Sequence, residues 1–212
     1  MKKESERDRY KGSKTAMDKY LSIITLNINE LTAPIKRHRM AEWIRKHDPH
    51  ICCLQETHGR AKDLHRLKVK CWKKIFQVNG QEKKARVAIL ILHKIDFKTK
   101  SIKRNTEEHL IILKGRIYQE DINIINMYAS NTGASKYIRK ILEDFKKDIG
   151  SNTLILGDFN TLLLKMDTSS KQNIKKDIVA LNNALDEMDL ADIYREPFIT
   201  KKQNTHSFQI YM

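Results

Sequence analysis

The sequence predicts a mixed, largely antiparallel α/β (α+β) sandwich, two sheets flanked by helices. Three observations lead there. Strand-like runs rich in Ile, Val and Leu outnumber helical ones, several neighbouring runs are joined by short turns, and amphipathic helices come in between. That pattern does not suit a purely doubly wound sheet. With 40% hydrophobic residues in a chain of 212, there is material for a full core, which excludes global disorder.

Residues 1–19 are almost all charged or small and carry no periodicity, so they are expected to form a disordered basic arm ahead of one domain over residues 20–212. Residues 21–29 (LSIITLNIN) begin as an apolar run and end in strict alternation, a strand signature. Over residues 36–47, Met40, Trp43, Ile44 and His47 share one face of an amphipathic helix, and Pro49 follows its end. Residues 50–55 read as a short buried strand and 60–70 as a charged, helical connection. Residues 74–78, 86–92, 109–118 and 121–128 are strand-like. The last two are separated only by Gln119 and Glu120, a tight hairpin lacking the Gly or Asn that such turns prefer. Residues 133–149 form a second amphipathic helix with Gly150 as its C-cap, 152–156 a buried strand, and 177–190 a third helix. Residues 208–212 start a strand with no partner behind it.

Composition narrows the partners. Forty-one Lys+Arg against 26 Asp+Glu leave a net charge of +15, spread along the chain, which points to a polyanion and most simply to nucleic acid. The longest apolar runs, at 87–92 and 110–113, fall far short of the ~20 residues of a membrane span. Cys52, Cys53 and Cys71 include no C-x-x-C pair and read as small buried apolar residues, so neither a disulfide partner nor a zinc site is expected. No apolar stretch follows the N-terminal basic residues, and a nuclear or cytoplasmic location is expected. Gly (7) and Pro (3) are scarce for a fold with many turns.

The chemistry lies at strand ends. Four apolar strands terminate in small polar or acidic groups: Asn27, then Gln55-Glu56-Thr57-His58, then Tyr128, then Gly157-Asp158-Phe159-Asn160. Strand ends emerging on one edge place such groups around a common cleft. Carboxylates with amide and phenol donors suit a hard divalent cation and a phosphate. Glu56 would bind Mg²⁺, Asp158 would hold or deprotonate a water, Asn160 would orient it, and Asn27 and Tyr128 would hydrogen-bond phosphate oxygens. Each residue also has a plainer reading: Asn27 as a turn residue, Tyr128 as an edge-of-core aromatic, Glu56 as a solvated carboxylate, Asp158-Phe159-Asn160 as an Asx turn. The combination in this order is what exceeds them.

The same residues carry a resemblance. TLNIN (25–29), QETH (55–58), NMYA (126–129) and GDFNT (157–161) resemble successive motifs of the endonuclease/exonuclease/phosphatase superfamily. With IKRHR (35–39), CCLQETH (52–58), VAIL (87–90) and NTGA (131–134), the chain resembles the N-terminal endonuclease domain of mammalian LINE retrotransposon polyproteins, from about residue 20 to about residue 208. The resemblance implies a DNase I-like fold and a Mg²⁺-dependent phosphodiesterase that nicks duplex DNA. The 3′-hydroxyl it leaves would prime reverse transcription by a downstream domain. By the same resemblance, Glu56 is the metal ligand, Asn27 an active-site contact, Tyr128 the support of the scissile phosphate, Asp158 the activator of water and Asn160 its orienter. Asn29 is then a secondary active-site group, and Ser207 lies near a DNA-contacting hairpin.

Three departures stand out: Glu30 and Arg86 occupy family glycines, and Ser130 a family proline. The family's final strands and its Ser-Asp-His tripeptide have no counterpart before Met212. The expectation is therefore a C-terminally truncated domain whose nicking is absent or very weak. The alternatives are a non-catalytic basic nucleic-acid-binding module and a retrotransposon remnant without function.

Overall fold

The structure, a computed structural model, describes residues 21–59, 72–79, 85–105, 109–161, 176–191 and 209–211. The expected arm, the connection at 60–70, Cys71 and Ser207 lie outside the described residues.

The first sheet has the order β1-β2-β4-β3, built from β1 (Ile23–Asn27), β2 (Ile51–Gly59), β3 (Trp72–Asn79) and β4 (Ala85–Leu92). The second runs in sequence order through β5 (Lys98–Asn105), β6 (Leu110–Ile117), β7 (Glu120–Tyr128), β8 (Thr153–Asp158) and β9 (Gln209–Tyr211). One pair in each sheet is parallel, β1 with β2 and β7 with β8, and the remaining pairs are antiparallel. This is the mixed, largely antiparallel sandwich that the sequence predicts.

Strand alternation sorts the side chains into layers. Cys53, Val87, Ile89 and Ile91 of the first sheet meet Ile111, Leu113, Ile124 and Leu156 of the second in a shared core. On the outer face of the first sheet, Cys52, Leu54, Ala88 and Leu90 pack against Ile44 of helix α1 (Pro34–His47). On the outer face of the second, Leu110, Ile112, Ile125, Met127 and Ile155 lie under α2 (Ala134–Asp144) and α3 (Lys176–Glu187). Cys52 and Cys53 are fully buried and free, and burial pushes both thiols up, as small apolar core residues require.

Several elements correct the sequence reading. The β6–β7 turn is Tyr118-Gln119, one residue earlier than expected, with φ of 50° and 73°. α2 ends at Asp144 and is followed by a 3₁₀ turn over Lys146–Asp148, so Gly150 is not its cap; Gly150 instead donates its N–H to Thr153 Oγ1 at 2.9 Å. The strand start at the C-terminus has a partner, because Gln209–Tyr211 pairs antiparallel with β8 from Ile155 to Gly157. β5 escaped the sequence reading altogether. Ile102 is its one large apolar residue, and its lysines and arginine mark a charged edge that resists further pairing.

The scarcity of glycine has a structural consequence. Ten described non-glycine residues hold positive φ: Asn29, Glu30, Asp48, Glu56, His58, His109, Tyr118, Gln119, Asn160 and Asp189. Each such residue costs on the order of 1 kcal/mol. Six of them cluster where β1, β2 and β8 end and β6 begins.

Candidate active site

Because β1 runs parallel to β2, and β7 to β8, the ends of all four strands gather at one end of the sandwich. Asn27 sits opposite Gln55 and Tyr128 opposite Asp158 in the two registers. A hydrogen bond joins the sheets there: Asn27 Nδ2 donates to Asp158 Oδ2 at 2.6 Å. Asp158 is 8% exposed, and its other oxygen accepts the Asn160 N–H at 3.3 Å. Asn160 in turn donates Nδ2 to the Ala129 carbonyl at 2.8 Å, and the Ala129 N–H bonds the Asp158 carbonyl at 2.9 Å. Asn27 Oδ1 accepts the Asn29 N–H at 3.0 Å. The turn at Asn27 and the Asx turn at Asp158 of the plainer reading are therefore both present, and the same groups also tie two sheets together.

Close strand approach sets Asp158 in place. Gly157 has φ of 153°, and a Cβ there would lie 2.0 Å from the Met127 carbonyl oxygen, so only glycine lets β8 lie this near β7. Phe159, 3% exposed, anchors the following turn in the core under α2 and α3. The Ser135 and Thr161 hydroxyls, 2.7 Å apart, fasten that turn to the start of α2.

Glu56 sits in an irregular stretch of β2, where the register with β4 shifts between Gln55 and Gly59. Its φ of 50° and that of His58, 41°, turn the strand out of the ladder. The carbonyls released by this bulge are used: Glu56 accepts the Glu30 N–H at 2.8 Å and Thr57 accepts the Leu31 N–H at 3.0 Å. Lys36 reaches the Asn29 carbonyl at 2.9 Å and Arg37 the Leu31 carbonyl at 2.8 Å, so α1 clamps the same loop. Glu30 carries φ of 76°, the conformation for which a glycine is suited.

The phenol of Tyr128 donates to the Glu56 carboxylate. Its pKa is pushed up to about 12, first by burial, then by that hydrogen bond, then by the charges of Glu56 and Asp158, with Arg86 acting in the opposite sense. Tyr128 is therefore a neutral donor across the physiological range. His109 backs it, with ring centroids 6.3 Å apart and its carbonyl accepting the Tyr128 N–H at 3.2 Å.

Sequence reasoning missed the support beneath these groups. Gln55, 1% exposed, donates to Thr25 Oγ1 at 2.9 Å and to Asn126 Oδ1 at 2.7 Å. Asn126, 0% exposed, donates to the Leu54 and Ala88 carbonyls at 3.2 and 2.9 Å. This buried amide bridge crosses from β7 to β1, β2 and β4, one residue below Glu56 and two below Tyr128. Its signal was available: three polar residues inside otherwise apolar strands, at positions where burial demands partners.

The structure thus gathers Asn27, Glu56, Tyr128, Asp158 and Asn160. Asn29 stands at the rim, exposed, and takes part through its backbone. Among the described residues no three His, Cys, Asp or Glu side chains converge as a self-sufficient metal cage.

Solved structures share this architecture. The endonuclease domain of TRAS1, a telomere-specific non-LTR retrotransposon, superposes with a TM-score of 0.64 at 14% identity, over 90% of this chain and 83% of that one. An AP endonuclease from Archaeoglobus fulgidus matches with a TM-score of 0.59 at 18% identity, over 91% and 86%. D. rerio TDP2 complexed with single strand DNA product matches with a TM-score of 0.58 at 13% identity, over 90% and 82%. At such identities the likeness is one of fold, a DNase I-like α/β sandwich. A family model adds sequence evidence over residues 24–211, from the second residue of β1 to the end of β9. The chain belongs to the Endonuclease/Exonuclease/phosphatase family.

Proposed function

We propose that this chain is a Mg²⁺-dependent phosphodiesterase that nicks duplex DNA, of the kind found in LINE-type retrotransposon endonucleases. The observation that carries the reading is the 2.6 Å bond from Asn27 to Asp158, which sets one carboxylate across the cleft from the Glu56–Tyr128 pair. The retrotransposon, AP-endonuclease and DNA-product neighbours support a nucleic-acid phosphodiester as substrate, and the net charge of +15 suits a polyanion.

The donor set fits Mg²⁺. This ion takes hard oxygen ligands, keeps several waters, and is commonly held by one or two carboxylates together with substrate phosphate, not by a full protein cage. Glu56 would hold it, and the bound ion would neutralise charge on the phosphate. The chain's own residues do the rest. Asp158 takes a proton from the attacking water through a carboxylate that Asn27 holds in orientation. Asn160, its Nδ2 committed to Ala129, presents its amide oxygen to that water. Tyr128 stays neutral and steadies Glu56 and the phosphate, and Asn29 serves as a secondary contact. Ser207 is proposed as a DNA contact on the resemblance alone.

Conversion of supercoiled plasmid to open circle, with and without Mg²⁺, tests the reading. Very weak metal-dependent nicking that Asp158→Ala abolishes is the expected result, and robust nicking would overturn the expectation of a feeble enzyme. Salt-sensitive DNA binding with no nicking would instead make the chain a non-catalytic basic module.

A further inference from the structure

Arg86 is the feature that the site as described leaves unused. β4 runs antiparallel to β2, so it begins at the end of the sandwich where β2 delivers Glu56. Gln55 pairs with Val87 and Gly59 with Ala85, which places Arg86 opposite the bulge that carries Glu56. The residue is exposed and lies within electrostatic reach of Tyr128. Arg37, Arg104, Arg116 and Arg139 each spend their guanidinium on a protein oxygen. Among the described residues Arg86 has no hydrogen bond or ion pair, although the carboxylates of Glu56 and Asp158 both act on the same tyrosine.

Resting on the reading of the site as a DNA phosphodiesterase, we propose that Arg86 is a binding residue for a backbone phosphate flanking the scissile one. The physical reason is one of charge. Two carboxylates at the cleft repel a polyanion, and a cation at the rim offsets that repulsion where the strand enters. A guanidinium is suited to the task, since its planar fork meets two phosphate oxygens at once and never loses its charge.

Duplex binding without divalent cation, measured from low to moderate salt, separates this inference from the proposed function. Arg86→Gln keeps length and strand fit while removing the charge, Arg86→Lys restores a point charge, and Lys98→Ala, at the opposite end of the second sheet, is the control. Loss of one phosphate contact should lower the slope of log affinity against log salt by about 0.9 and weaken low-salt binding by about three- to ten-fold. Arg86→Lys should recover most of the slope, and Lys98→Ala should lose less than Arg86→Gln. A slope unchanged in Arg86→Gln, with wild-type thermal stability, overturns the inference and leaves the proposed function standing. A lowered slope in a chain that never nicks supports the inference and refutes the hydrolytic reading. A wild-type affinity independent of salt overturns both.

Discussion

Replacing Asn126 with leucine probes the bridge on which the candidate site rests. Asn126 is fully buried on β7 and makes three hydrogen bonds, one accepted from Gln55 and two donated to the carbonyls of Leu54 and Ala88. Leucine has similar volume and no polar atoms. The two carbonyls keep other acceptor capacity in the ladder, and Gln55 keeps its bond to Thr25, but one buried Gln55 N–H is orphaned. Each lost bond costs about 1 kcal/mol net and the orphaned donor about 1–3 kcal/mol more. Apolar transfer of the new side chain returns about 1–2 kcal/mol. The net is a loss of about 3 kcal/mol, which for a chain of this size lowers Tm by roughly 6–12 °C. Urea unfolding followed by circular dichroism measures it. Because Gln55 precedes Glu56 and Asn126 lies two residues before Tyr128, any nicking activity should fall with stability, even at temperatures where the variant is fully folded. Stability within about 1 kcal/mol of wild type would refute the argument that this bridge holds the sheets together at the site.

Gly157→Ala should cost about 3 kcal/mol, because its Cβ must push the Met127 carbonyl away from a 2.0 Å approach; chemical denaturation reads the loss, and a neutral result would contradict the close strand approach. Glu30→Gly relieves a φ of 76° at the price of one exposed bond from Thr32, so the variant should gain about 1 kcal/mol and melt about 2–4 °C higher. A lower melting temperature would show that this conformation is not strained. Asp148 is held below its ordinary carboxyl pKa of 3.8, first by the hydrogen bond from Lys103 and then by that from Lys114, both at 2.7 Å. A lowered folded-state pKa contributes stability above the unfolded value and loses it as pH falls through the folded one. Wild type should therefore exceed Asp148→Asn in stability at neutral pH, and the two should converge as pH drops below 3.8; a difference independent of pH would refute the ion-pair account.

Apolar strand runs and helix stripes were legible because each needs only local periodicity. Val87–Leu92 and Leu110–Leu113 are strands in either reading, and Ile44, Ile138 and Leu181 face the core that their spacing demands. β5 was not legible, since a charged edge strand takes its ladder from β6, a neighbour that no local window contains. The hairpin at Tyr118-Gln119 slipped by one residue for a related reason: without Gly or Asn, nothing local marked where positive φ would fall.

The candidate site divides along the same line. That Asn27, Tyr128 and Asp158 end their strands, with Asn160 just beyond β8, is written in the sequence, because strand termination is a short-range property; that β2 runs on past Glu56 to Gly59 as a bulged strand is not. That they meet depends on two parallel pairs pointing the same way and on a 2.6 Å bond between residues 131 positions apart. The Thr25–Gln55–Asn126 bridge and the placement of Arg86 opposite the β2 bulge belong to tertiary structure alone, since hydrogen bonding and strand register are decided by distance in space and leave no periodicity along the chain.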